Sequence, residues 1–254
     1  MKVSIITVCK NAENAIERTI LSVVTQNCFA TNIEYLIIDG ASTDKTTEII
    51  KQYSNKYPIK WISEPDSGIY NAMNKALKIA SGEIIYFLNA GDRLFDEKTI
   101  ELALNEFEKG GDDFLYTDIL TCNINNLSET KIKKFNHADK YFLFRDCICH
   151  QASFFKKNVI EKFGGFNEGF KLAADYEMLL KIITDKSLKK EYLPITAAYY
   201  DTAGISSISE DIVKEERAEI QKHFYSSFET FVYHSCLYQF IRRRLRKAGF
   251  KIYG

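Results

Sequence analysis

Polar side chains suited to binding and proton transfer gather in four short stretches of this 254-residue sequence, each at the end of an apolar run. They are Thr7-Val8-Cys9-Lys10-Asn11, Asp39-Gly40, Ser63 to Gly68 with Asp66, and Asn89-Ala90-Gly91-Asp92. A carboxylate at the mouth of an open sheet can accept hydrogen bonds from a nucleobase N–H or a ribose hydroxyl, or can ligate a hard cation. It can also simply cap the next helix. Asp44 reads as a cap, whereas Asp39 and Asp92, each on a strand tip beside a glycine, read as functional. Asp175 falls in the first turn of a helical pattern, where the helix dipole favours a carboxylate whether or not it does chemistry. His150 stands in an aromatic-rich segment, where a histidine is more often a hydrogen-bonded structural residue. Cys147-x-Cys149-His150 has a superficial likeness to a zinc cluster, but no second cluster of ligands stands elsewhere at workable spacing.

These stretches need a scaffold that brings them to one edge, and the first ninety residues supply it by alternating strand and helix patterns, the order that builds a parallel sheet. Val3 to Val8 reads as a buried strand, followed by a helix capped by Asn11 with Ile16, Ile20, Val23 and Val24 at helical spacing. Ile33 to Asp39 and Ile59 to Ser63 are further strands, with a helix that carries Thr46, Ile49, Ile50 and Tyr53 on one side between them. A helix from Ile69 to Ala80, closed by Gly82, leads to a fourth strand at Glu83 to Leu88. Ligands of such sheets bind beyond the carboxyl ends of the strands, which is where the four stretches lie. Beyond Asp92 the pattern loosens: a helix is expected near 96–107, strands at 114–120, 131–135 and 151–155, a helix at 173–184, and one long helix from Ser209 to near Gly249.

The 34 Lys plus Arg balance 34 Asp plus Glu, so no global positive field recruits nucleic acid. Six scattered cysteines and an N-terminus that opens on MKVSIITV point to a reducing, cytoplasmic setting. The longest strongly apolar run is far short of the roughly 20 residues that cross a bilayer.

Taken in order, KVSIITVCKNAENAIERTILSVVTQ, EYLIIDGASTDKTTEII, SEPDSGIYNAMNKALKIASGEIIYFLNAGD and CHQASFFKK with GGFNEGFKLAADYEMLLKI resemble a family 2 glycosyltransferase of the GT-A fold, over about residues 1–200. The likeness is to bacterial enzymes that build capsule, colanic-acid or O-antigen repeat units. It implies an α/β fold with a mostly parallel twisted sheet, a catalytic domain over 1–205 (nucleotide-binding half 1–92, acceptor half 93–205) and a helical, basic extension over 206–254. It further implies a nucleotide-sugar site using Thr7, Asp39, Asp66, Asn89 and Asp92, with a UDP-sugar as the favoured donor, and a Mg²⁺ or Mn²⁺ ion held by Asp92. Where the family often has Asp-Ala-Asp-Asp, this chain has Asn89-Ala90-Gly91-Asp92, leaving one carboxylate. Asp175 matches the family's catalytic base, and His150 matches a position near the acceptor or the diphosphate, where it could assist the leaving group. The implied reaction is an inverting transfer to a glycan or lipid-diphosphate-linked acceptor.

Near the C-terminus Phe224, Phe228, Phe231, Tyr238 and Ile241 recur at helical steps, and Arg242, Arg243, Arg244, Arg246, Lys247 and Lys251 follow with no acidic residue after Glu229. Such a helix suits an anionic membrane surface, and equally an apolar face packed on the catalytic domain or on a second copy in a homodimer. A Rossmann oxidoreductase is disfavoured because the first strand-to-helix turn, VCKNAEN, has no glycine. A catalytically silent nucleotide-binding or assembly subunit stays open because of the thinned acidic motif.

Overall fold

The computed structural model describes residues 1–123, 126–202 and 209–235, together with positions 238, 241, 242, 244 and 245. The first half runs β1 (Val3–Cys9), α1 (Ile16–Val24), α2 (Phe29–Asn32), β2 (Ile33–Asp39), α3 (Thr46–Ser54), β3 (Ile59–Ser63), α4 (Ile69–Ile79) and β4 (Ile84–Phe87). It continues through β5 (Arg93–Leu94), α5 (Thr99–Gly110), β6 (Phe114–Asn123), β7 (Asn126–Lys133), α6 (Lys140–Arg145), a 3₁₀ turn (His150–Ala152), β8 (Ser153–Lys156) and α7 (Lys157–Lys162). The last elements are α8 (Ala174–Thr184), β9 (Lys190–Asp201), α9 (Glu210–Phe224) and α10 (Ser227–His234).

The strands form one sheet in the order β3-β2-β1-β4-β8-β6-β9-β5, with β7 paired to β6. The first four are parallel, β8 runs antiparallel to both neighbours, and β6 and β9 are parallel. Alternation along each buried strand separates two apolar layers. Ile6, Val8, Leu36 and Phe87 face α4 and α8, whereas Ile5, Tyr35, Ile37 and Tyr86 face α1, α3 and α5. Register sets the site, because Cys9 pairs with Asp39 and Asp39 with Ser63, so three strands end level.

Several sequence expectations are corrected. Asn11 does not cap α1, whose N-cap is Ala15. Asn11 takes a left-handed conformation (φ 50°), and its Oδ1 accepts a hydrogen bond from the Thr43 N–H at 2.9 Å. Gly82 does not close α4, which ends at an extended Ala80; a Cβ at Gly82 would lie 2.5 Å from the Ser4 backbone nitrogen, so close packing explains the glycine. The sequence pattern does not predict β9. The single long C-terminal helix is broken at Tyr225, where Ser226 and Glu229 form a reciprocal capping box that starts α10. The aromatic stripe divides: Tyr238 stacks with Tyr233, whereas Phe228 and Phe231 stand exposed. Arg242 is buried, ion-paired with Asp139 and stacked on Tyr141. Arg243, Arg246, Lys247 and Lys251 lie outside the described residues.

Candidate active site

Where β1, β2 and β3 end together, Asp39 is completely buried and accepts from the Ser42 N–H at 2.9 Å and the Ser63 hydroxyl at 2.7 Å, with the Ser42 hydroxyl on its other oxygen. The carboxylate therefore ties three loops at the sheet edge. Asp66 closes over this point: a Cβ at Gly40 would lie 2.3 Å from Asp66 Oδ2, so only glycine there lets Asp66 approach the Asp39 tip. Thr7, expected to meet a nucleobase, is completely buried. Its hydroxyl donates to the Leu88 carbonyl at 2.7 Å and pairs with the Tyr35 hydroxyl at 3.1 Å, so it braces β1 against its neighbours.

The Asn89–Asp92 loop is held by α1 beneath it. Thr19 donates its hydroxyl to the Asp92 carbonyl at 2.7 Å and accepts from the Gly91 N–H at 3.0 Å, while Arg18 reaches the Gly91 carbonyl at 3.1 Å and Asp201 at 2.9 Å. Asp92 is only 6% exposed; it accepts from Gln151 Nε2 at 2.6 Å and from the Asp201 N–H at 2.9 Å. Burial pushes its carboxyl up to about 6, against the opposing pull of those two hydrogen bonds.

The 3₁₀ turn carries His150 next to Gln151 and joins this loop to α8. Asn89 Nδ2 lies 2.9 Å from His150 Nε2, and His150 Nδ1 lies 3.3 Å from Asp175 Oδ2. Asp175 Oδ1 accepts from the Tyr70 hydroxyl at 3.0 Å and from the Tyr176 N–H at 2.8 Å. The Asp175 side chain remains 20% exposed. Its helix is secured from α9, where Glu216 accepts the N–H groups of Lys171, Leu172 and Ala173 at 2.7 to 2.9 Å. That carboxylate takes up the N–H groups of the segment leading into α8, at the helix end where the dipole favours a negative charge. Arg217 stacks on the Tyr176 ring at 4.4 Å, so the C-terminal helices brace the element that carries Asp175. Asn89, Asp92, His150 and Asp175 are thus joined by direct hydrogen bonds or through one intervening residue, while Asp39 sits at the neighbouring strand tip with Asp66 over the adjacent Gly40.

The model for Glycosyl transferase family 2 matches residues 4–176, most of the chain. The protein belongs to that family. Similar proteins include the uncharacterized glycosyltransferase Rv1514c of Mycobacterium tuberculosis (strain ATCC 25618 / H37Rv), 30% identical over 209 residues, which are 81% of this chain and 77% of the relative. The minor teichoic acid biosynthesis protein GgaB of Bacillus subtilis (strain 168) is 30% identical over 209 residues, covering 78% of this chain but 22% of its own length. Among solved structures, residues 1–349 of S. aureus TarS in complex with UDP-GlcNAc align with a TM-score of 0.71 at 21% identity, over 88% of this chain and 65% of that one. The glycosyltransferase has the GT-A fold, a curled mixed sheet between helices with further helices at its C-terminal end.

Among the described residues of this glycosyltransferase, no group of three His, Cys, Asp or Glu side chains converges as a metal cluster. The oxygens at hand nonetheless suit a hard cation. Asn89 Oδ1 and Gln151 Oε1 are buried with no hydrogen-bond partner, and Asp92 adds a carboxylate. Asp201, Arg18, Gln151 and Tyr70 escaped the sequence reading. Gln151 and Tyr70 directly adjoin residues that were singled out, His150 and Ile69, but their partners are set by tertiary structure alone. Asp201 ends the unanticipated β9.

Proposed function

We propose that this glycosyltransferase is inverting and moves a sugar from a nucleoside diphosphate donor, most suitably a UDP-sugar, to a glycan or lipid-diphosphate-linked acceptor in bacterial surface polysaccharide synthesis. The carrying observation is the hydrogen-bonded connection from the Asn89–Asp92 loop through His150 to a partly open Asp175. The UDP reading draws support from the UDP-GlcNAc bound to TarS, and the surface-polymer reading from the teichoic acid role in GgaB's name.

In one displacement the acceptor hydroxyl attacks the anomeric carbon while the bond from that carbon to the diphosphate breaks. Asp175 takes the hydroxyl proton, and the opposite anomeric configuration results. The Asp39 and Asp66 tips take the nucleoside side. Asp92, with the free amide oxygens of Asn89 and Gln151, would hold Mg²⁺ or Mn²⁺. When bound, such an ion offsets charge on the departing diphosphate. Arg18 and Thr19 keep that loop in place from below.

A second surface belongs to the same reading. Phe228 and Phe231 are 74% and 73% exposed, one turn apart on α10, and the sequence after them is strongly basic. That combination favours seating on an anionic lipid face, at the cytoplasmic side where lipid-linked acceptors would be presented. No described helix is long and apolar enough to cross a membrane.

Transfer assays on wild type and Asp175→Asn test the proposal, with product configuration read by NMR and nucleotide affinity by calorimetry. The expected result is a loss of about 10²–10⁴-fold in turnover with UDP affinity retained. Wild-type turnover in the variant, or a retained anomeric configuration, would overturn it, and a wild type that binds nucleotide without transfer would favour a silent subunit.

A further inference from the structure

We infer that Asn89 and His150 form a directed relay that sets the imidazole tautomer and so positions Asp175, an inference that rests on the reading of Asp175 as the base. The direction follows from chemistry. Asn89 presents its amide nitrogen to His150 Nε2 at 2.9 Å, and an amide NH₂ can only donate, so Nε2 is the bare nitrogen. The ring proton of a neutral imidazole then sits on Nδ1, 3.3 Å from Asp175 Oδ2, and is donated to it. Turning the amide over would bring Oδ1 to Nε2, draw the proton there and leave a lone pair on Nδ1 facing the carboxylate. One arrangement of the neutral pair is satisfied and the other is repulsive.

The two carboxylate oxygens consequently differ. Oδ1 accepts from both the Tyr70 hydroxyl, at 3.0 Å, and the Tyr176 N–H, at 2.8 Å, whereas Oδ2 accepts from His150 alone. With about two lone pairs on each oxygen, the uncommitted pair falls on Oδ2, which is the atom that takes the acceptor's proton. His150 has both nitrogens engaged, so it is a positioning residue and not a proton donor to the leaving group. The asparagine at 89 also acquires a reason: an aspartate there could only accept, and would force the proton onto Nε2.

The test combines a spectroscopic and a kinetic readout. The chain has 4 histidines, so ¹⁵N-histidine labelling, with His150→Asn to identify the signal, reads the tautomer directly. Wild type should show the Nδ1–H tautomer of His150, and Asn89→Asp should move that signal to the Nε2–H form. Turnover of His150→Ala should fall about 10²-fold with the donor KM within about twofold, as expected when a reacting group is misplaced rather than removed. His150→Asn, which keeps a donor near the Nδ1 position, should recover at least about tenfold of that loss. An Nε2–H tautomer in wild type, a signal that ignores Asn89→Asp, or equal rates for His150→Ala and His150→Asn would each overturn the relay. Full activity in Asp175→Asn would instead refute the base, and the tautomer measurement distinguishes that failure from this one.

Discussion

Replacing Asp92 by asparagine should make the metal-free protein less sensitive to pH while weakening its function. Asp92 is buried, and its carboxyl is raised from the ordinary 3.8 to about 6, so the folded state holds the proton more tightly than the unfolded chain. The stabilisation from that proton is complete below the unfolded value, and it is lost as pH rises through about 6. The full loss is about 3 kcal/mol, roughly half of it between about pH 5 and about pH 8. Asparagine mimics the neutral acid. Its carbonyl can still accept from the Asp201 N–H, and its NH₂ can donate to Gln151 once that side chain turns over and presents Oε1, which has no partner in the native arrangement. The variant therefore keeps its hydrogen bonds and escapes the ionisation cost. Urea unfolding of both proteins in excess EDTA, at several pH values across that interval, measures the outcome. The gap in stability should move in the variant's favour by more than about 1 kcal/mol from the acid to the alkaline end, while sugar transfer falls. A constant gap would show that Asp92 ionises as an ordinary exposed carboxylate and would remove the argument for a strained acid beside the reacting groups.

At the opposite end of the sheet, Glu34 is buried, and hydrogen bonds from Lys60, Ser4 and Ser81 outweigh the upward push of desolvation, holding it at about 2. Glu34→Gln should cost about 2 kcal/mol of stability at neutral pH, with the gap closing as pH falls from the unfolded value of 4.5 through about 2 and turnover per folded molecule unchanged. Gly40→Ala should push the Asp66 side chain away from the Asp39 tip and weaken donor affinity at least about tenfold in calorimetry, with no loss of cooperative unfolding. Glu216→Ala should lower turnover and stability together, because it frees the three N–H groups that lead into α8; unaltered kinetics would show that α8 needs no support from α9. Phe228→Ser with Phe231→Ser should reduce co-sedimentation with vesicles rich in anionic lipid by at least about tenfold, and failure of wild type to sediment would end the membrane reading.

How much of this could be read without coordinates depends on where each signal resides. β1, β2 and β4 are buried on both faces and so appear as continuous apolar runs, whose ends mark the site directly: Asp39 closes β2 and Asn89 follows β4. Asp175 was legible because its helix and flanking residues carry a familiar order. β9 was not, because Pro194 interrupts it, its burial does not alternate, and its long parallel pairing with β6 shifts register twice. Losing β9 meant losing Asp201, and with it the reason Arg18 turns towards the Asn89–Asp92 loop. The end of α9 had a readable signal, since Ser226-x-x-Glu229 is a capping box in sequence as well as in space. The helical periodicity of the aromatic residues masked it. What no single stretch could reveal is the division of labour among the polar groups. Local spacing identifies Asn89, His150 and Asp175 as candidates, but which nitrogen bears a proton, and which carboxylate oxygen keeps a lone pair, is decided by partners contributed by the loop after β4, the 3₁₀ turn, α4 and α8 together. A thinned acidic motif judged from sequence suggests a weakened enzyme; with its partners in place, the same asparagine gives His150 a hydrogen-bond donor, which an aspartate cannot do.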